Sequence, residues 1–133
     1  MKVISVFVFL VFSFLLIKSQ DSESDVFQLT DENFDSTISE GFTLVKFYSP
    51  WCKHCKQIEN DYKETATALK NKATIAEINC EKFKKTCVDL HVFSFPTIYL
   101  YKDGDQLATF SGERNAENFY DFVQKYRKHK EDL

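Results

Sequence analysis

Apolar residues near the beginning of this 133-residue chain form one long, nearly unbroken run. The run extends over 3–17, with Met1-Lys2 before it and Lys18 after it. A cationic start and an apolar run of this length are typical of a signal peptide, whereas a membrane-spanning helix needs about 20 apolar residues. We therefore expect residues 1–19 to be a signal peptide and the mature chain to contact no membrane, with a membrane anchor as the alternative.

Beyond this run, short apolar segments alternate with amphipathic ones and predict one α/β domain over 26–128. Segments rich in β-branched and aromatic residues predict strands over 26–29, 43–48, 74–79, 97–102 and 106–110. Apolar residues at helical spacing predict helices over 30–38, 52–69, 82–90 and 115–126. This order of elements predicts a central mixed β-sheet flanked by helices on both faces.

Charged residues of both signs are interspersed along the chain. The 17 Lys and Arg residues and 20 Asp and Glu residues give a formal net charge of −3, and the aromatic residues lie inside apolar runs. This distribution argues against a nucleic-acid partner. The length left after the apolar run suits one core of ordinary size, and we expect a monomer.

The segment Cys52-Lys53-His54-Cys55 directly follows a predicted strand and begins a predicted helix. A C-x-x-C motif in this context is typical of a redox dithiol, because the amide groups at a helix N-terminus favour a thiolate on the first cysteine. Cys55 lies one turn further in and suits the resolution of a mixed disulfide. His54 adds a group that favours negative charge on Cys52. Lys53 and Lys56 do the same or form a solvated helix face.

A zinc site is the metal alternative, since the C-x-x-C pair is followed by Cys80 and Cys87. We do not favour it, because the first pair follows a strand directly and a C-x6-C spacing is unusual for a zinc knuckle. We therefore expect no metal and no cofactor.

Several separated motifs resemble the catalytic domain of protein disulfide isomerases of the endoplasmic reticulum. They are the segment 47–56 (FYSPWCKHCK), Phe95-Pro96-Thr97 and Gly112-Glu113-Arg114, in this order. The resemblance covers about 26–128, nearly the whole mature chain. It implies a thioredoxin-like fold and an enzyme, a thiol–disulfide oxidoreductase or isomerase that uses no cofactor.

The resemblance also implies roles for individual residues. Cys52 would be the nucleophile and Cys55 the thiol that resolves the mixed disulfide. Pro96 would be a cis proline that faces the dithiol beside the bound peptide. Arg114 would be a mobile cation that lowers the pKa of the Cys55 thiol during turnover.

The remaining aromatic and cysteine residues near these motifs have two interpretations each. Trp51, Phe93 and Phe95 form an apolar rim that holds unfolded clients, or they pack in the core, which suits Phe95 better than Trp51. Some domains of the family carry a structural disulfide at the positions of Cys80 and Cys87, and the resemblance implies one here. Free buried thiols are the alternative.

Two positions depart from the family pattern. Lys53 stands where the family usually has Gly and adds a cation to the active-site loop. Lys46 stands where the family usually has a buried Glu that accepts the proton of the resolving cysteine, and Glu77 stands where it has the Lys partner. A lone buried charge is costly, so we expect the two to pair with their charges exchanged. Glu77, or neutralised Lys46, would then handle the proton of Cys55, with a purely structural ion pair as the alternative.

The end of the chain and its context suggest a compartment. Residues 129–133 form an expected C-terminal tail whose last four residues, KEDL, resemble the lumenal retention signal KDEL with its acids exchanged. We expect the lumen of the endoplasmic reticulum, with secretion as the alternative. The expected partners are unfolded or misfolded clients and an upstream oxidase or glutathione. A non-catalytic thioredoxin-fold chaperone or partner-binding module is the alternative function.

Overall fold

The computed structural model describes residues 24–133, so the predicted signal peptide over 1–19 lies outside the described residues. The strands in this range are β1 (Phe27–Leu29), β2 (Phe42–Tyr48), β3 (Thr74–Asn79), β4 (Thr97–Lys102) and β5 (Asp105–Thr109). The helices are α1 (Phe34–Ile38), α2 (Lys53–Gln57), α3 (Glu59–Ala68), α4 (Lys84–Asp89) and α5 (Ala116–Glu131). No helix of this part of the chain is long and apolar enough to cross a membrane.

The five strands form one mixed sheet in the order β1-β3-β2-β4-β5. Strands β1, β3 and β2 run parallel, whereas β4 and β5 are antiparallel to their neighbours. The parallel pairs are joined through helices, and the antiparallel pair β4–β5 is joined by a tight turn at Asp103-Gly104. The predicted mixed sheet is confirmed, with β2 at its centre.

Helices cover both faces of this sheet, as the sequence predicts. Alternate residues of β2 point to opposite faces, so Leu44 belongs to one core cluster and Val45 to the other. On the Leu44 face the cover consists of α3, which contributes the fully buried Tyr62, and α5. On the Val45 face α1 contributes Phe34 and α4 contributes Cys87.

The predicted helix over 52–69 is interrupted in the structure. It forms two helices, α2 and α3, because Ile58 leaves helical geometry with φ −98° and ψ 2°. The Ile58 side chain is buried in the core cluster of the Leu44 face, so its packing outweighs continuity of the helix. The spacing of apolar residues along the sequence shows no such break.

Three other predicted helices have different ends in the structure. The helix predicted over 30–38 begins only after Asn33, because the Thr30 hydroxyl accepts hydrogen bonds from the N–H groups of Glu32 and Asn33 and forms a separate turn. The helix predicted over 82–90 is α4, which is shorter at both ends. The last helix continues to Glu131, so the predicted tail 129–133 begins inside it. Its last turn is basic, which suits a helix C-terminus although it lacks apolar residues.

Two buried tyrosines differ in how their hydroxyl groups are satisfied. The Tyr62 hydroxyl lies 2.9 Å from the carbonyl oxygen of Leu44 and 2.6 Å from that of Ala76, and donates its hydrogen bond to these strands, β2 and β3. The Tyr101 hydroxyl is also buried, but it has no hydrogen-bond partner within the described residues. Tyr62 therefore links the two central strands to α3, whereas Tyr101 contributes mainly its ring.

This difference yields a prediction for two matched substitutions. We expect Tyr62→Phe to lower the free energy of unfolding by about 1 to 3 kcal/mol, because it removes a buried hydrogen bond to two carbonyl groups. We expect Tyr101→Phe to leave the free energy of unfolding equal or higher, because it removes a buried polar group without a partner. Urea unfolding of both variants measures the difference, and equal effects of the two substitutions would contradict the prediction.

Candidate active site

The dithiol lies where β2 ends and α2 begins. Cys52 precedes α2 and Cys55 lies in its first turn, with a Cα–Cα distance of 5.2 Å and the two Sγ atoms at disulfide distance. The N–H group of Cys55 donates a hydrogen bond to Cys52 Sγ at 3.1 Å. The N–H group of Cys52 donates to the carbonyl oxygen of Ser49 at 3.1 Å, which closes the turn between strand and helix.

The two cysteines differ in accessibility. Cys52 is half-exposed, whereas Cys55 is buried and only 4% exposed. The neighbouring residues Lys53, His54 and Lys56 are exposed. Because an attacking thiol must reach a sulfur on another molecule, this arrangement allows external attack at Cys52 and favours internal attack by Cys55.

Strand register places Pro96 at the end of the sheet where β2 leads into the dithiol loop. The Phe95–Pro96 peptide bond is cis, and Pro96 is buried. Thr97 pairs with Phe47 near the end of β2, so the preceding proline lies at the edge of the sheet from which the dithiol loop leaves. Arg114 is exposed in the connection between β5 and α5, and within residues 24–133 it forms no ion pair. Its role at Cys55 stays a prediction.

The three aromatic residues of the expected rim are placed differently. Trp51 is 81% exposed and Phe93 is 71% exposed, although both are large apolar side chains. Phe95 is half-buried and packs against the core cluster of the Val45 face. Trp51 and Phe93 are therefore available to another molecule, while Phe95 also has a packing role.

Lys46 and Glu77 form a largely buried ion pair across β2 and β3. They are register partners, and Lys46 Nζ lies 2.7 Å from Glu77 Oε2, with side-chain exposures of 3% and 18%. The Gln28 side-chain amide donates to Glu77 Oε1 at 2.9 Å. Lys46 Nζ also lies 4.7 Å from the centre of the Tyr62 ring. The pair leaves neither charge alone in the protein interior.

A cavity of about 270 Å³ joins this ion pair to Cys55. Its lining includes Lys46, Glu77, Cys55, Tyr48 and Glu59. Burial raises the pKa of the Tyr48 hydroxyl, and the charges of Glu77 and Glu59 raise it further, so Tyr48 stays protonated at neutral pH. Because the Tyr48 phenol keeps its proton, it does not serve as a proton acceptor in this cavity.

Cys80 and Cys87 form a second disulfide, with a Cα–Cα distance of 5.7 Å. Both are buried, with exposures of 7% and 1%. The N–H group of Cys80 donates to the carbonyl oxygen of Tyr48 at 2.9 Å, which places this disulfide next to the end of β2. Among residues 24–133, no three potential metal ligands come together.

Ser49 is a site residue that sequence reasoning missed. Its buried hydroxyl donates to Glu81 Oε1 at 3.3 Å and accepts from the N–H group of Trp51 at 3.3 Å. A serine in the strand-to-loop segment was visible in the sequence. Its acceptor lies 32 residues further along the chain, so no local pattern indicated the contact.

Comparison with known proteins agrees with this geometry. The sequence model of the thioredoxin family matches residues 25–125. Protein disulfide-isomerase A3 of Gallus gallus is 35% identical over 104 residues, which cover 77% of this chain and 21% of that protein. Protein disulfide-isomerase 5-1 of Arabidopsis thaliana is 31% identical over 113 residues, which cover 82% of this chain and 77% of that protein.

Solved structures show the same fold. The first two thioredoxin domains of Naumovozyma dairenensis Eps1p match with a TM-score of 0.73 and 27% identity, over 79% of this chain and 42% of theirs. The zinc-bound form of human ERp44 matches with a TM-score of 0.71 over 75% of this chain and 29% of its own; at 19% identity it supports the fold alone. The chain spans less than a third of the length of the first curated relatives it matches. It belongs to the thioredoxin family and, within that family, is a relative of the protein disulfide isomerases.

Proposed function

We propose that this chain is a thiol–disulfide oxidoreductase that acts on unfolded or misfolded client polypeptides. One observation carries the proposal: Cys52 is half-exposed, and its sulfur lies at disulfide distance from that of the buried Cys55. Such a pair can exchange with an external thiol or disulfide through one sulfur and close internally through the other. Similarity to proteins named disulfide isomerases supports the same activity.

The exchange proceeds in two balanced steps. In the first, the Cys52 thiolate attacks one sulfur of a client disulfide, forms a mixed disulfide and releases the other client sulfur as a thiolate. In the second, the Cys55 thiolate attacks Cys52 Sγ, closes the Cys52–Cys55 disulfide and releases the second client thiolate. Two electrons pass to the client, and the reverse sequence oxidises a client dithiol. After client reduction, reduced glutathione returns two electrons and restores the dithiol; after client oxidation, an upstream oxidase removes two electrons and restores the Cys52–Cys55 disulfide.

The exposed aromatic residues support a polypeptide client. Trp51 directly precedes Cys52, and Phe93 lies in the segment that leads to Pro96. Exposed side chains of this size are places where apolar segments of an unfolded chain can bind. The predicted signal peptide over 1–19 and the KEDL end support action in the lumen of the endoplasmic reticulum.

We expect Cys52→Ser to abolish insulin reduction, because it removes the accessible sulfur. We expect Cys55→Ser to retain attack but to accumulate a mixed disulfide, because the internal resolving thiol is absent. Turbidity of reduced insulin measures the first effect, and mass spectrometry of trapped adducts measures the second. If Cys52→Ser kept most of the wild-type rate, the alternative, a non-catalytic chaperone or binding module, would replace this proposal.

We further propose that Glu77 accepts the proton of Cys55 when the mixed disulfide resolves. Glu77 and Cys55 line the same cavity, and Lys46 keeps the carboxylate paired. Glu59 lines this cavity as well, but it is exposed and pairs with Lys63 at 3.0 Å. The more buried carboxylate is therefore the better placed acceptor.

We expect Glu77→Gln to slow the release of glutathione from a Cys52–glutathione mixed disulfide by about a hundredfold at neutral pH, the lower end of general-base effects. Release is measured by rapid mixing across a pH series. Glu64→Gln, an exposed carboxylate outside the cavity, serves as the matched control.

Two further variants make this test decisive. The exchange Lys46→Glu with Glu77→Lys keeps one charge of each sign in the cavity, so we expect it to fold and to release glutathione faster than Glu77→Gln. If Glu77→Gln left the pH profile of glutathione release unchanged, the ion pair would have only a structural role. Slow release in Glu59→Gln instead would transfer the role to Glu59.

A further inference from the structure

The turn that presents Cys52 is held by one buried serine. The Ser49 carbonyl oxygen accepts from the N–H group of Cys52, and the Ser49 hydroxyl accepts from the N–H group of Trp51. The same hydroxyl donates to Glu81. Ser49 thus fixes the amide groups of Trp51 and Cys52, the residue before the dithiol and its first cysteine, and links them to a different segment of the chain.

Glu81 is held in place by the segment that the second disulfide closes. It directly follows Cys80, and its N–H group donates to Asn79 Oδ1 at 3.0 Å. Cys80 is bonded to Cys87 and donates its own N–H group to the carbonyl oxygen at the end of β2. The buried disulfide therefore restrains the residue that accepts the Ser49 hydrogen bond.

We propose that Ser49 and Glu81 are positioning residues through which the Cys80–Cys87 disulfide sets the reactivity of Cys52. This inference rests on the proposed exchange function of the dithiol. Neither side chain forms a hydrogen bond with a sulfur atom of the dithiol; they act through the backbone of the turn. The second disulfide then does more than stabilise the fold, because it shapes the loop that carries the nucleophile.

The physical link is the hydrogen bond from the Cys55 N–H group to Cys52 Sγ at 3.1 Å. An amide that donates to this sulfur favours its thiolate form, and the strength of the bond depends on distance and angle. If the turn loses its anchor at Ser49, Cys52 moves more freely and this bond weakens on average. The thiol of Cys52 should then ionise at higher pH, and its disulfide should become a weaker oxidant.

We expect Ser49→Ala to move the midpoint of Cys52 alkylation upward by about half a pH unit, as for loss of one neutral hydrogen bond. The equilibrium with glutathione should shift about threefold toward the Cys52–Cys55 disulfide. The Cys52–Cys55 disulfide of the full chain is first reduced selectively. Iodoacetamide labelling across a pH series, followed by peptide mapping, then measures the alkylation of Cys52. Ser39→Ala, an exposed serine just after α1, is the matched control.

Substitutions at Glu81 separate hydrogen bonding from charge. Glu81→Ala should reproduce the shift of Ser49→Ala, because it removes the acceptor. Glu81→Gln should keep the wild-type midpoint of Cys52 alkylation, because the glutamine amide oxygen still accepts the hydrogen bond from the Ser49 hydroxyl. Loss of the charge should have little effect, because the exposed carboxylate is screened by solvent. A shift in Glu81→Gln equal to that in Glu81→Ala would overturn the proposed role of the hydrogen bond.

The coupling to the second disulfide is tested by a double-mutant cycle. Replacing Cys80 and Cys87 together with alanine should raise the midpoint in the wild-type background and add nothing in the Ser49→Ala background. Additive shifts, or no shift in Ser49→Ala, would overturn the coupling. A wild-type midpoint near the ordinary thiol value of about 8.5 would instead remove the proposed exchange function itself. If the double-alanine variant does not fold, the Ser49 and Glu81 variants still decide the role of the turn.

Discussion

The position of the dithiol depends on the carboxyl end of β2, which neighbouring strands hold from both sides. Parallel β3 follows β2 as far as Tyr48, whose carbonyl oxygen accepts from Cys80. Antiparallel β4 begins with Thr97 beside Phe47. Cys80, the residue just after β3, and Pro96, the residue just before β4, therefore lie at the same end of the sheet. Strand register alone brings together the dithiol loop, the cis proline and the second disulfide.

The ion pair beneath this edge restricts where a proton can go. Lys46 is nearly inaccessible, so its charge requires the carboxylate of Glu77 as a partner. A proton that moved from Cys55 to Glu77 would leave the ammonium group without that partner, and the cost would drive the proton onward. The cavity that the three residues share offers a route to solvent. In the proposed role, a carboxylate paired in this way would suit brief acceptance of a proton better than its storage.

Much of this architecture was predictable from the sequence, because strands and helices bury continuous patterns of apolar residues. The alternation of strands and helices follows from such patterns, whereas the opposition of Lys46 and Glu77 on adjacent strands was implied by the resemblance to the family. The helix break at Ile58 does not follow from the pattern of apolar residues, since packing against the core decides it. The Ser49–Glu81 contact does not either, because it joins a turn to a distant segment through side chains. Sequence patterns thus indicate which surfaces are buried, whereas single polar contacts depend on the assembled fold.

The two disulfides of the chain differ in solvent accessibility, which governs the rate of thiol–disulfide exchange. Thiol–disulfide exchange requires a thiolate to approach a sulfur atom, so an inaccessible bond reacts slowly whatever its stability. Cys52 is half-exposed, whereas Cys80 and Cys87 are almost completely covered by the core of the Val45 face. Under the proposed function, a client thiol that exchanged with the first bond would not reach the second without opening the fold. The buried bond would then keep the loop in one arrangement while the Cys52–Cys55 bond breaks and forms.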